Sequence, residues 1–260
     1  MKLRKIKLTA IGLFSVIFIV FAWYLIDRFS YANEQTYYQI SNQYQDTILT
    51  VGIIGDSWVA GHKLDSLLHQ ELLKNGINNK VISSGQSGAK SKLIFQNLFK
   101  NEKDEHSSKS IIENKPDYCV VIAGVNDKVG QVGKGFYTHH MIMIMKTLLH
   151  YNIKPIIVEL PTVGIEETTN QLGFIKIIQY NIFAYFTNNG ELDNTKTYRE
   201  NLNVELEKKE LDDKIIFIDF DKVCAEYSNC KELYRNHSHL SKKGNEKLCK
   251  IIVEEMKKQE

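Results

Sequence analysis

Two periods of apolar and polar positions run through this chain. Short runs rich in β-branched residues recur between longer segments whose apolar positions fall three and four apart. ILTVGIIG (48–55) predicts a strand, and Leu64–Lys74, apolar at 64, 67, 68, 72 and 73, predicts a helix. Further strands are expected at Lys80–Ser83, Asp117–Ala123, Pro155–Leu160 and Lys214–Phe220. Helices are expected at Ser91–Lys100, Phe136–Tyr151 (with a Met-rich face), Leu202–Leu211 and Ser241–Lys258. Continuous apolar strands separated by helices predict a parallel sheet of five strands covered on both faces, an α/β fold. Residues 165–195 interrupt the alternation. Phe174, Ile175, Ile177, Ile178, Ile182, Phe183, Tyr185 and Phe186 make an apolar, aromatic helix of about four turns, ending at Asn188-Asn189-Gly190. It is read as an extra core helix, a cap over a site, or a surface that meets a membrane or a partner. As a cap, it would place at least one of Phe174, Ile178, Phe183 or Phe186 along the approach to the site.

A third pattern stands at the N-terminus. The 19 residues Leu8–Ile26 carry no charge. As a helix they reach about 28 Å, close to the hydrocarbon thickness of a bilayer. Trp23 and Tyr24 sit where aromatic rings favour the interface. Four Lys/Arg residues precede the run and one follows it, which keeps the N-terminus cytoplasmic and the body extracytoplasmic. The favoured reading is an uncleaved anchor. The rival is a signal peptide cleaved near Ala32, after Ser30-Tyr31-Ala32, releasing a secreted body. The expected organisation is an anchor at 1–28, a polar, tyrosine-rich stalk at 29–48 and one domain at 49–260.

The 260 residues are 43% apolar and 25% charged, a globular composition. Residues 1–28 hold a net charge of +4, so the rest of the chain holds −2 of the overall +2. A slightly acidic body lacks the basic stripe that nucleic acid requires, and no nucleic-acid partner is expected. Cys119 lies in the apolar run YCVVIA and reads as a small buried hydrophobe. Cys224 and Cys230 are close enough in sequence to close a small disulfide ring in an oxidising compartment. No C-x-x-C pair or His cluster with ligand spacing is present, so no metal and no cofactor are expected.

Candidate chemistry collects at strand ends. The first strand runs into Gly55-Asp56-Ser57-Trp58. A Ser just beyond the carboxyl end of a parallel strand stands where open α/β sheets bind ligands. Ser84-Gly85-Gln86-Ser87-Gly88 follows the second strand and offers backbone N–H groups to an anionic oxygen. Gly124-Val125-Asn126-Asp127 follows the third, where an Asn amide can aim into the same crevice. Asn236-His237-Ser238-His239-Leu240-Ser241 precedes the last helix, so a His there could reach the Ser. Nucleophile, base and oxyanion donors would then come from four separate strand ends.

These motifs, in this order and spacing, resemble the SGNH (GDSL-type) hydrolases, from about Thr50 to the C-terminus, with 165–195 as an insertion. The resemblance implies a flavodoxin-like three-layer α/β/α sandwich with a five-stranded parallel sheet. It implies a serine hydrolase of carboxylic esters: an esterase, lipase, thioesterase or carbohydrate O-acetylesterase, with some members transferring acyl groups. By position, Ser57 would be the nucleophile and His239 the general base. The backbone N–H groups of Ser57 and Gly88 and the Asn126 side chain would form the oxyanion hole. Asp56 and Asp127 read as carboxylates holding nearby backbone. His139, His140 and His237 read as loop or helix-surface residues, and Trp58 as packing beside the crevice.

The sequence departs from that family at one position. Where the family has Asp three residues before the His, this chain has Asn236. An Asn oxygen can orient the imidazole but brings no charge. In a serine protease the equivalent Asp→Asn change lowers turnover roughly ten-thousand-fold. Three outcomes stay open: a Ser57–His239 dyad with Asn236 as neutral orienter, recruitment of Asp219, Asp221 or Glu232, or a non-catalytic binding module. The favoured expectation is a membrane-anchored extracytoplasmic esterase, with the lipid bilayer as partner through residues 8–26. Its substrate would be an acylated glycan, lipid or small molecule, with an O-acetyl ester favoured. The alternatives are an O-acyltransferase on a surface glycan and a glycan- or partner-binding module.

Overall fold

The computed structural model describes residues 2–40, 48–61, 63–162, 164–166, 173–223 and 230–259. Cys224, residues 41–47 and part of the 165–195 segment lie outside the described residues. The chain forms two units, Met1–Tyr31 and Ala32–Glu260. The first is a single helix, α1 (Lys2–Phe29). Its window Gly12–Phe29, with mean hydropathy 1.7, is long and apolar enough to cross a membrane.

The second unit contains five parallel strands: β1 (Leu49–Gly55), β2 (Asn79–Gly85), β3 (Tyr118–Ile122), β4 (Lys154–Val158) and β5 (Ile216–Ile218). Their spatial order is β2-β1-β3-β4-β5, and every pairing is parallel. This is the doubly wound flavodoxin-like order, in which the chain reverses its direction of travel between β1 and β3. Val51, Ile53, Ile54, Val120, Val121, Ile156 and Ile157 are fully buried, as expected of strands covered on both faces. The helices are α2 (Leu64–Lys74), α3 (Ser91–Asn97), α4 (Lys109–Glu113), α5 (Val125–Val129), α6 (Lys134–His150), α7 (Phe174–Thr187), α8 (Thr195–Lys208) and α9 (Lys242–Lys257).

Differences from the predicted elements have local causes. Helix α8 starts seven residues before the predicted Leu202, because the Asn194 side chain caps it by accepting from Thr197 N–H at 2.9 Å. Strand β5 is shorter than predicted. Asp219 and Asp221, just past its end, turn to Arg199 of α8, at 3.0 and 2.7 Å, and Glu159 beyond β4 joins them at 2.9 Å. A two-stranded antiparallel ribbon, β6 (Tyr234–Asn236) with β7 (His239–Leu240), replaces the loop expected before α9.

Residues 32–40, inside the span expected as a stalk, belong to the second unit and pack on its helix α6 and the residue that follows it. Ala32 N–H donates to His140 Nε2 at 2.9 Å, and the Tyr151 hydroxyl bonds both the N–H and the carbonyl of Tyr38 at 3.0 Å. Tyr37 stacks on His150 with ring centroids 3.8 Å apart. His140 is buried, not on the helix surface as expected. Its Nδ1 donates to the Phe136 carbonyl at 2.7 Å, and burial lowers its pKa to about 4. Cys119 and Cys249 are free and buried, and Cys230 is disulfide-bonded.

Candidate active site

Ser57 stands at the carboxyl end of β1 and Asn126 just past β3, on either side of the topological switch point. Past Gly55 the chain makes one helical turn. The Asp56 carbonyl accepts from Val59 and Ala60 N–H at 3.1 and 3.0 Å, and the Asp56 carboxylate accepts from Trp58 N–H at 3.0 Å. The Ser57 N–H, at the start of this turn, lies outside its internal ladder. Two paired glycines let the turn sit close on the sheet. A Cβ on Gly55 would lie 2.4 Å from the Ile122 carbonyl oxygen, and one on Gly85 2.6 Å from Ala60 N.

The His arrives on the β6–β7 ribbon. Asn236 and His239 are cross-strand partners, joined by the two residues His237 and Ser238. This brings His239 Nδ1 to 2.9 Å from Asn236 Oδ1 and His239 Nε2 to 3.1 Å from Ser57 Oγ. The backbone N–H of Ser238 also meets Asn236 Oδ1, at 3.1 Å. A backbone N–H only donates, so the Asn236 atom facing the imidazole is the carbonyl oxygen, an acceptor. The proton of the neutral ring therefore sits on Nδ1, and Nε2 presents its lone pair to the Ser57 hydroxyl. The Ser238 hydroxyl lies 3.2 Å from Nδ1 and 3.3 Å from Asn236 Oδ1.

Contacts that carried no sequence signal hold the ribbon in place. Trp58, buried, donates its indole N–H to the Ser238 carbonyl at 2.7 Å and packs edge-on against Phe220. The residue after Ser57 thus grips the residue before His239. Gly164, at φ +89°, passes under the ribbon, where a Cβ would lie 2.2 Å from the His237 carbonyl oxygen. Gly244 of α9 leaves a Cβ no room either, at 2.1 Å from the Leu233 carbonyl oxygen. Ser241 caps α9 by accepting from Gly244 N–H at 3.2 Å.

The oxyanion-donor candidates form a connected set. Gly88, at φ +75°, is the third residue of a turn closed by Ala89 N–H on the Gln86 carbonyl at 3.1 Å. A positive φ at that position is the type II geometry that glycine suits. The Asn126 amide nitrogen donates to the Ala89 carbonyl at 3.0 Å and to Asp56 Oδ2 at 3.3 Å. Asn126 therefore ties the Gly88 turn to the Ser57 turn. To serve a developing oxyanion it would trade the longer of these bonds. Asp127 faces the other way, accepting from Ser91 N–H and Oγ at 2.9 and 2.6 Å. Both carboxylates hold nearby groups, as expected of them. Burial raises Asp56 to about 7 and Asp127 to about 6.

The other carboxylates weighed for the imidazole have partners elsewhere. Asp219 and Asp221 bind Arg199, Asp221 also accepts from Thr162 N–H, and Glu232 pairs with Lys243 at 2.8 Å. A cleft of about 450 Å³ lies away from the Ser57–His239 pair, lined by Glu34, His139, Lys146 and Asn201 among others. No group of three or more His, Cys, Asp or Glu side chains able to hold a metal occurs among the described residues.

The chain has the SGNH (GDSL-type) hydrolase fold. It is similar to the lipase/acylhydrolase from Enterococcus faecalis, at 17% identity and a TM-score of 0.59, covering 82% of this chain and 97% of that one. It is also similar to the psychrotrophic esterase EstA from Pseudoalteromonas sp., in a structure inhibited by monoethylphosphonate. There the identity is 13% and the TM-score 0.55, over 81% of this chain and 97% of the other. A protein assigned to the lipolytic G-D-S-L family from Desulfitobacterium hafniense DCB-2 aligns at 18% identity and a TM-score of 0.54, over 79% and 98%. No family model and no curated protein matches the sequence.

Proposed function

We propose that the protein is a membrane-anchored, extracytoplasmic serine esterase that cleaves an acyl ester through a Ser57 acyl-enzyme. The observation that carries this reading is the Ser57 Oγ–His239 Nε2 contact of 3.1 Å, with Nδ1 held by an acceptor. In the proposed reaction His239 takes the Ser57 proton as Oγ attacks the ester carbonyl. The Ser57 and Gly88 N–H groups and the Asn126 amide take up the oxyanion. His239 then returns the proton to the leaving alcohol, and a water activated by the same imidazole releases the acid. Asn236 holds the productive tautomer but adds no charge to stabilise the imidazolium, so a slow enzyme is expected.

The anchored, outward-facing placement is supported by the apolar length of α1 and by the four basic residues ahead of it. It is supported further by Ala32, whose N–H bonds His140; a cut after Ala32 would remove that contact from the body. An extracytoplasmic site favours an O-acetyl ester on a surface glycan, with a lipid ester next. An organophosphonate probe on the purified full chain tests the nucleophile. Labelling that disappears in Ser57→Ala supports the esterase. A folded chain that takes no label favours the second reading, a glycan- or partner-binding module, for which the uncharged Asn236 speaks.

A further inference from the structure

Helix α7 is apolar on two opposite faces. Tyr180, Phe183 and Ala184 are buried against the body. At 100° per residue, Phe174, Ile175, Ile178, Ile182, Tyr185 and Phe186 fall within about 120° of arc on the other side. That side is open: Phe174 is 76% exposed, Ile175 81% and Tyr185 73%. A helix that is apolar all round is ordinarily covered. A continuous exposed stripe of this size marks an interaction surface, whereas scattered exposed apolar residues do not.

Three observations identify what covers it. First, only Ser30 and Tyr31 separate the end of α1 at Phe29 from Ala32, which is buried in the body. So short a connection spans no more than about 11 Å, and it keeps the body near any bilayer that α1 crosses. Second, α7 and the attachment point both contact the N-terminal half of α6. Ala32 is held by His140, while Gly133, the residue capping α6, packs against Thr187 at the end of α7. The Tyr180 hydroxyl also donates to the Val129 carbonyl, just before α6. Gly133 and His140 are separated by about 10 Å of helix. Third, the composition suits a lipid interface. The 14 residues of α7 hold no acidic residue, one Lys, three Phe and two Tyr on an isoleucine-rich helix.

We propose that the outward face of α7 docks on the interfacial layer of the membrane that α1 crosses, holding the body against the lipid surface. This rests on the reading of α1 as a membrane anchor, and the test separates the two. The full chain is reconstituted in phosphatidylcholine/phosphatidylglycerol vesicles with an environment-sensitive fluorophore on Ile178→Cys or Tyr185→Cys, and on Lys250→Cys of α9 as reference. The signal of the labelled parent chain is subtracted. The expected result is blue-shifted emission from 178 and 185, quenched roughly twofold or more by lipids spin-labelled near the headgroup, with 250 unaffected. Carbonate extraction of the same vesicles reports on the anchor. Water-like, unquenched emission at 178 and 185 from a chain that resists extraction overturns the docking and leaves the anchor standing. Quenching at 178 and 185 on a chain that carbonate removes retains the docking and overturns the anchor. Loss of both overturns both. A blue shift without lipid quenching overturns the docking in favour of a protein cover, a second copy or a partner.

Discussion

In the proposed mechanism Asn236 would set how fast the candidate site works. It holds His239 in the tautomer a general base needs, through a bond of 2.9 Å, but it is neutral. Asn236→Asp is therefore expected to raise ester turnover several-fold or more. The added charge should also raise the His239 pKa and move the acid limb of the pH–rate profile to higher pH. A tenfold fall in kcat with the fold intact would show that the amide itself is needed. Trp58 offers a separate test of positioning. Its indole N–H fixes the carbonyl of Ser238, next to the imidazole, at 2.7 Å. Trp58→Phe keeps a ring against Phe220 and removes that bond. It is expected to lower kcat roughly tenfold with little change in KM, as loosened alignment does. Unchanged kcat would reduce Trp58 to a packing residue.

At the scale of elements, helix α6 receives the segment that follows α1, and a histidine forms the joint. Buried His140 titrates near 4, whereas an unfolded imidazole titrates near 6.5. The unfolded chain thus takes up the proton first. The joint contributes in full above pH 6.5, and its contribution is lost as the pH falls from 6.5 towards 4. Over that window the stability difference between the wild type and His140→Gln should shrink by on the order of 3 kcal/mol, because two and a half pH units separate the two titrations. Buried Asp56 and Asp127 titrate in both proteins and cancel in the comparison. Denaturant unfolding of the two chains at pH 7 and pH 4.5 measures it. A difference that stays constant with pH would mean that His140 is not linked to folding.

At the scale of the whole molecule, the proposed topology has a direct readout. Lys250 lies on the exposed side of α9, and Cys119 and Cys249 are buried. A Lys250→Cys chain in intact cells is expected to react with a membrane-impermeant maleimide more strongly than the parent chain does. Reaction only after permeabilisation would place the body in the cytoplasm and reverse the orientation drawn from the basic N-terminus.

Periodicity and local motifs determined much of this protein from the sequence alone. Five apolar runs became five parallel strands because a strand buried on both faces has to be apolar throughout. Helix α2 matched its predicted ends because its stripe and its breaks are both local in sequence. Ser57 and His239 could be paired from motif order, and the structure brings them together across 182 positions. Other features depended on contacts between distant segments. The β6–β7 ribbon is too short to show alternation, yet it makes Asn236 and His239 opposite partners. The grip of Trp58 on Ser238, the place of Gly164 under the ribbon and the burial of His140 under Ala32 follow from the same cause. The outward face of α7 belongs with them. Its residues read as a core helix, a cap or a surface for a membrane or partner, because hydrophobicity alone does not say which side the body covers. Only the packing of Tyr180 and Phe183 left the opposite stripe facing out.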